Sequence, residues 1–157
     1  MKKNKLIYPA VFAAMMALTG CTNNPSPDEI PGGEVVDTDV EAKIYYVSPT
    51  AKATGAGTEE DPADIIKLLG SETLKPGDTV LVAPGTYNCT NRVRTKVSGT
   101  FKNYITIKCT SETERAILDF SSMSFDSNNR GIEIDGNYWR WLNVDICGAG
   151  DNGLYIG

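Results

Sequence analysis

From residue 43 onward the sequence predicts an all-β chain whose strands stack as the coils of a solenoid, with one helix near its start. Three observations predict this. Apolar runs are short and separated by Gly, Asn, Asp or Ser, the pattern of strands and turns. A single segment carries helix-start chemistry. One strand pattern also recurs: Gly131-Ile132-Glu133-Ile134 is echoed 22 residues later by Gly153-Leu154-Tyr155-Ile156. The echo would stack Ile132 on Leu154 and Ile134 on Ile156. A solenoid needs such recurrence, because each coil buries its apolar face only against its neighbours. The competing reading is two unrelated strands that each follow a glycine.

Two other segments precede this domain. Lys2, Lys3 and Lys5 form a positive start, and Leu6–Leu18 is an apolar run of 13 residues. That run is too short to span a bilayer and has the length of a signal-peptide core. It ends in Leu18-Thr19-Gly20-Cys21, which resembles a lipobox, so residues 1–20 read as a lipoprotein signal peptide and Cys21 as the lipidated first residue. An ordinary secretory signal with a chance Cys is the alternative. The expected place is the bacterial cell envelope, held at a membrane by the lipid on Cys21. Thr22 after the Cys leans towards the outer membrane or cell surface.

Residues 21–42 read as a linker. Three prolines, Gly32-Gly33 and six acidic residues with no basic one bury little surface. As a flexible tether such a stretch spans roughly 25 Å root-mean-square.

Charge and composition exclude several functions. Removing the three signal lysines leaves 12 basic residues against 20 acidic ones, a net charge of −8. Nucleic-acid binding needs a basic footprint, so no nucleic-acid partner is expected. The chain has no His, which excludes a Ser-His-Asp triad and a His-ligated zinc. Beyond Cys21 stand Cys89, Cys109 and Cys147, an odd count without C-x-x-C spacing. Cys109 and Cys147 close apolar runs and read first as small buried hydrophobes, second as a disulfide.

Within residues 43–157 the elements follow in order. Ile44–Val47 is strand-like and stops at Ser48-Pro49. Residues 54–58 form a Gly-rich loop. Asp61-Pro62-Ala63-Asp64 predicts a helix over Pro62–Leu69, capped by Asp61, with Pro62 first and Gly70 ending it. Lys75-Pro76-Gly77-Asp78 is a turn, Thr79–Ala83 a strand and Pro84-Gly85-Thr86 a turn. Further strands are expected at Tyr104–Cys109, Ala116–Phe120, Gly131–Ile134, Trp141–Ile146 and Gly153–Ile156.

At these residues a resemblance enters. Tyr45-Tyr46-Val47-Ser48, then Lys75-Pro76-Gly77-Asp78-Thr79-Val80 and Pro84-Gly85-Thr86-Tyr87, resemble the opening of secreted parallel β-helix proteins. Ser98-Gly99-Thr100, Tyr104-Ile105-Thr106-Ile107, Ile117-Leu118-Asp119-Phe120, Tyr138-Trp139 and Gly148-Ala149-Gly150-Asp151-Asn152-Gly153-Leu154-Tyr155-Ile156 narrow it. Together they are similar to family-nine polysaccharide lyases of the pectate lyase L type. The resemblance covers about residues 44–157. It implies a right-handed parallel β-helix with an N-terminal capping helix. It further implies calcium-assisted β-elimination on an acidic polysaccharide such as pectate, with a Lys base and clustered Asp ligands on later coils. No residue here matches those catalytic motifs, so no catalytic residue and no calcium ligand is carried over. The chain therefore reads as a truncated, N-terminal part of a lipid-anchored polysaccharide lyase, itself inactive. Two readings stand beside it. One is a non-catalytic glycan-binding or surface-spacer β-helix. The other is a β-helix glycoside hydrolase with paired carboxylates.

Some residues could still carry a site. Arg92, Arg94 and Lys96 alternate and would share one face of a strand, where they could bind uronate carboxylates or form a solvated face. Asp145 and Asp151 are too few for calcium, which takes six to eight oxygens, and read as turn residues. Trp139 and Trp141 read as core before sugar platform.

Overall fold

A computed structural model describes residues 41–157. The segment expected to be a signal peptide, Cys21 and nearly all of the expected linker lie outside the described residues.

The chain after Asp78 runs through three coils of three strands each. The first coil holds β2 (Thr79–Val82), β3 (Gly85–Asn88) and β4 (Val93–Thr95). The second holds β5 (Ile105–Cys109), β6 (Ala116–Asp119) and β7 (Ile132–Ile134). The third holds β8 (Trp139–Leu142), β9 (Val144–Cys147) and β10 (Leu154–Ile156). Like strands pair in parallel into three sheets: β1-β2-β5-β8, β3-β6-β9 and β4-β7-β10, with β1 (Ile44–Val47) preceding the first coil. This is a parallel β-helix. The echoed segments pair as expected, Ile132 with Leu154 and Ile134 with Ile156.

Alternation builds the core. Val80 and Val82, Ile105 and Ile107, Ala116 and Leu118, and Ile132 and Ile134 point inward and are buried, in register with their like from coil to coil. Phe120 fills the corner after β6 and is fully buried. Asp78 is buried too, but its carboxylate accepts from the backbone N–H of Lys43 at 2.8 Å and of Lys75 at 2.8 Å. A buried carboxylate satisfied this way fixes the turn into β2 and ties it to β1.

The helix α1 covers Ile65–Gly70, shorter than expected, and its N-cap is Asp64, whose side chain accepts from the Lys67 N–H at 2.9 Å. Asp61 caps a different turn, accepting from the Ala56 N–H, while Ala63 bridges in parallel to Val47. The backbone of Pro62 and Ala63 is thus spent on sheet pairing rather than on a first helical turn. Ile65, Leu68 and Leu69 are buried, and α1 lies against β4, the outermost strand of its sheet. An outer strand covered in this way does not present a bare edge.

Three more expectations are corrected. Gly85-Thr86 is the start of β3, not a turn, because it pairs with Ala116-Ile117. The run Trp141–Ile146 is two strands broken at Asn143, whose φ of 55° turns the chain into the next sheet. Asn tolerates this left-handed backbone better than β-branched residues do. Cys147 is exposed rather than buried, since it pairs with outward-facing Asp119, whereas Cys109 is buried as expected. Cys89, Cys109 and Cys147 are all free thiols. Trp139 and Trp141 stand in register with buried Ile105 and Ile107, stack at 6.4 Å, and pack half-buried against the core.

Candidate functional site

The outward face of the β4-β7-β10 sheet carries the densest charge arrangement in the described residues. Val93 and Thr95 are buried, so their neighbours Arg92, Arg94 and Lys96 point outward together. Register then places Glu133 of β7 beside Arg94 of β4, and Tyr155 of β10 beside Glu133. Arg94, Glu133 and Tyr155 form one row across three coils.

Three guanidinium groups converge on Glu133. Arg130 approaches its carboxylate at 3.3 Å, Arg92 at 3.8 Å and Arg94 at 3.9 Å. Arg94 also donates to Asp135, and Arg130 reaches Asp151 at 3.4 Å. The Arg130 guanidinium lies 3.7 Å from the centre of the Tyr155 ring, a cation–π contact. Glu133 is buried, and its Oε2 has no hydrogen-bond partner. An uncompensated buried carboxylate is costly, so this cationic ring is what makes its position tolerable.

The hydrogen bond to Asp135 pushes the Arg94 guanidinium further above its already high value. Like any guanidinium it is a cation at neutral pH and accepts no proton. On this face Arg92, Arg94 and Arg130 are matched by the carboxylates of Glu133, Asp135 and Asp151. Lys96 is exposed on the same side, one position beyond β4.

Asp145 and Asp151 are not brought together. Asp145 is on β9 and takes two hydrogen bonds from Arg115, one of them 3.0 Å long from Nε. Asp151 precedes β10 and accepts from Arg130 and from the Asn152 amide. Each carboxylate is already neutralised by an arginine, and no group of three or more acidic or thiol residues among those described could hold a metal ion. The described residues do not fit calcium.

Glu133, Asp135, Arg130 and Tyr155 escaped the sequence reading. The 22-residue echo did align Glu133 with Tyr155, as the outward residues between paired apolar ones. The link from Glu133 back to Arg94 spans 39 positions and leaves no echo.

A family model described as "Pel9A-like, right handed beta helix region" matches residues 45–157. The chain belongs to the Pel9A-like family of right-handed β-helices. Pectate lyase L of Paenibacillus polymyxa (strain SC2) is 30% identical over 125 residues, covering 76% of this chain and 26% of that protein. Pectate lyase L of Dickeya chrysanthemi is 25% identical over 123 residues, covering 73% and 28%. The crystal structure of pectate lyase Pel9A superposes with a TM-score of 0.59 at 26% identity, over 73% of this chain and 30% of that one. The chain thus spans between about a quarter and a third of the length of the Pel9A-like relatives it matches.

Proposed function

We propose that this chain is the N-terminal part of a lipid-anchored polysaccharide lyase that acts on pectate-like acidic polysaccharide, and that its own residues bind and hold the polymer rather than cleave it. The observation that carries the reading is the family match across residues 45–157, to a family whose relatives are pectate lyases. Arg92, whose side chain is 48% exposed and whose ion pair to Glu133 is 3.8 Å long, supports the acidic substrate class, since guanidinium groups recognise carboxylates by paired, charge-assisted hydrogen bonds. Elimination would need a base to take the proton next to the uronate carboxylate. Calcium is the cation the resemblance implies, but Asp145 and Asp151 are each paired with an arginine, so no step is assigned to it among the described residues.

The test uses the full chain with polygalacturonate. The chain should be retarded in a polygalacturonate affinity gel and not in a neutral galactan gel. It should form no ultraviolet-absorbing unsaturated uronate, with or without calcium. Absence of retardation would overturn the substrate class. Calcium-dependent product would overturn the assignment of binding without cleavage.

A further inference from the structure

The β1-β2-β5-β8 sheet has an outward face unlike those of the other two. Its strands contain no acidic residue, whereas β3-β6-β9 carries Asp119 and Asp145 and β4-β7-β10 carries Glu133. Register sets its outward residues in two rows. One runs Ile44, Thr79, Thr106 and Arg140, the other Tyr46, Leu81, Lys108 and Leu142. Lys43 stands beside the first row, since its carbonyl accepts from the Thr79 N–H at 2.9 Å. Lys43, Lys108 and Arg140 are exposed, and none has an ion pair among the described residues. In a chain of net charge −5 this is a local excess of cations.

The corner that leads into this sheet is aromatic. Phe101 is at the tip of a tight turn closed by backbone hydrogen bonds between Thr100 and Asn103, and it is 73% exposed. Tyr104 and Tyr138 meet edge to face at 5.8 Å, with the Arg140 guanidinium 4.9 Å from the centre of the Tyr104 ring. Of the seven large apolar side chains exposed among the described residues, Ile44, Phe101, Tyr138 and Leu142 fall on this face or its corner. Apolar surface gathered in this way marks an interaction site.

The point where the chain enters the domain indicates the occupant. Ala42 leads into β1 at this same corner. A methyl group built on Gly77 would lie 3.2 Å from the Ala42 Cβ and 3.7 Å from the Asn103 Cβ, and the Gly77 N–H donates to the Asn103 carbonyl at 3.2 Å. A chain held by lipid at Cys21 therefore reaches its domain beside the Phe101 turn. Aromatic rings settle at the level of lipid headgroups, and Lys and Arg are drawn to anionic ones. We infer that the β1-β2-β5-β8 face and its Phe101 corner lie on an anionic phospholipid surface. Phe101 and Tyr138 enter the headgroup layer, and Lys43, Lys108 and Arg140 face phosphates. The inference rests on the lipid anchorage in the reading above, and it leaves the β4-β7-β10 face open to the polymer.

The test is hydroxyl-radical footprinting of the full chain, produced in bacteria and placed in vesicles of saturated phosphatidylcholine with or without phosphatidylglycerol. Mass spectrometry reads the oxidation of each residue. Phe101 and Tyr138 should be oxidised severalfold more slowly on the anionic vesicles than on the neutral ones. Phe125, 96% exposed on the corner between β6 and β7, should be oxidised equally on both. Lys108→Gln combined with Arg140→Gln should abolish the difference, since each lost cation weakens the attraction roughly fivefold. Phe101→Ser should remove the protection of Tyr138. Equal oxidation of Phe101 on the two vesicles, in a chain that sediments with both, would overturn the face and leave the lipid anchor standing. Slowing of Phe125 as large as that of Phe101 would show unspecific crowding and would overturn it as well. Protection of Phe101 by soluble polygalacturonate and not by vesicles would give the patch to the glycan instead. A chain that sediments with neither vesicle would overturn the anchor and the face together.

Discussion

Leu154 lies in parallel register on Ile132, so the third coil repeats the second at this face after 22 residues. The two are not equivalent in burial: Ile132 is fully buried, whereas Leu154 is 43% exposed. Ile132→Ala should therefore lower unfolding stability by about 2–5 kcal/mol, the transfer and cavity cost of a large-to-small core change. Leu154→Ala should cost less than half of that. Urea unfolding followed by tryptophan fluorescence compares them directly, and equal losses would contradict the difference in burial between the two coils.

That same pair explains why so much of the fold could be read from sequence, and why the rest could not. The second and third coils are joined through short corners, so their strands in this sheet recur closely. Elsewhere the spacing varies. Thr79 pairs with Thr106 after 27 positions, Ile105 with Trp139 after 34, and Val93 with Ile132 after 39. Backbone pairing fixes strand contacts but tolerates corners of any length, so one echo survives and the others are blurred. The charged face was half legible for this reason. Arg92 and Arg94 declared a shared side through local alternation, whereas Glu133 and Asp135 reach them only through an irregular 39-residue return. The helix start was misplaced because Asp61 and Asp64 both carry cap chemistry. Pairing of Ala63 with Val47 decided between them.

Thiol reactivity follows burial. Burial pushes the Cys89 thiol up to about 12, and nearby Asp64 and Asp119 add to the effect. Cys147 is raised too, first by desolvation and then by Asp119 and Asp145, but it is exposed. Iodoacetamide at mildly alkaline pH should modify Cys147 and spare Cys89 and Cys109 in the folded protein, since Cys147 is exposed and the other two are buried. Urea should make Cys89 and Cys109 reactive. Peptide mapping by mass spectrometry reads the order, and early labelling of Cys89 would contradict its burial.

Acid should loosen two outward contacts of the β3-β6-β9 sheet. The Arg115 guanidinium holds the Asp145 carboxyl below its ordinary range, and the Ser121 hydroxyl and N–H do the same for Asp119. A carboxyl depressed in the folded state stabilises it above the unfolded value of about 3.9 and loses that contribution as pH falls through the folded value. Arg115→Gln should raise the Asp145 titration midpoint towards the ordinary value in a carboxyl-detected NMR titration. The same change should leave the Asp119 midpoint in place, because its partners are on Ser121. A shift of both midpoints would mean that the two carboxyls answer to a common field rather than to separate donors.

The membrane attachment assigned to Cys21 rests on sequence chemistry alone, and it makes the sharpest prediction. As a signal core, the run of 13 residues from Leu6 to Leu18 would deliver the chain to the export machinery, and Leu18-Thr19-Gly20-Cys21 would supply small residues before a thiol. Acylation at that thiol would hold the protein through its fatty chains, each buried methylene adding about 0.8 kcal/mol, so two or more chains anchor it stably. The acidic, Pro-rich stretch that follows has little to bury and would act as a tether, setting the binding face out towards a polymer in the medium. In bacterial cells expressing the full chain, the mature N-terminus should be an acylated Cys21 by mass spectrometry, and the protein should sediment with membranes. Cys21→Ala should move it to the soluble fraction or leave the uncut precursor. A mature N-terminus at any other residue, or membrane partition untouched by Cys21→Ala, would show that the apolar run is an ordinary signal and that the β-helix travels free of the envelope.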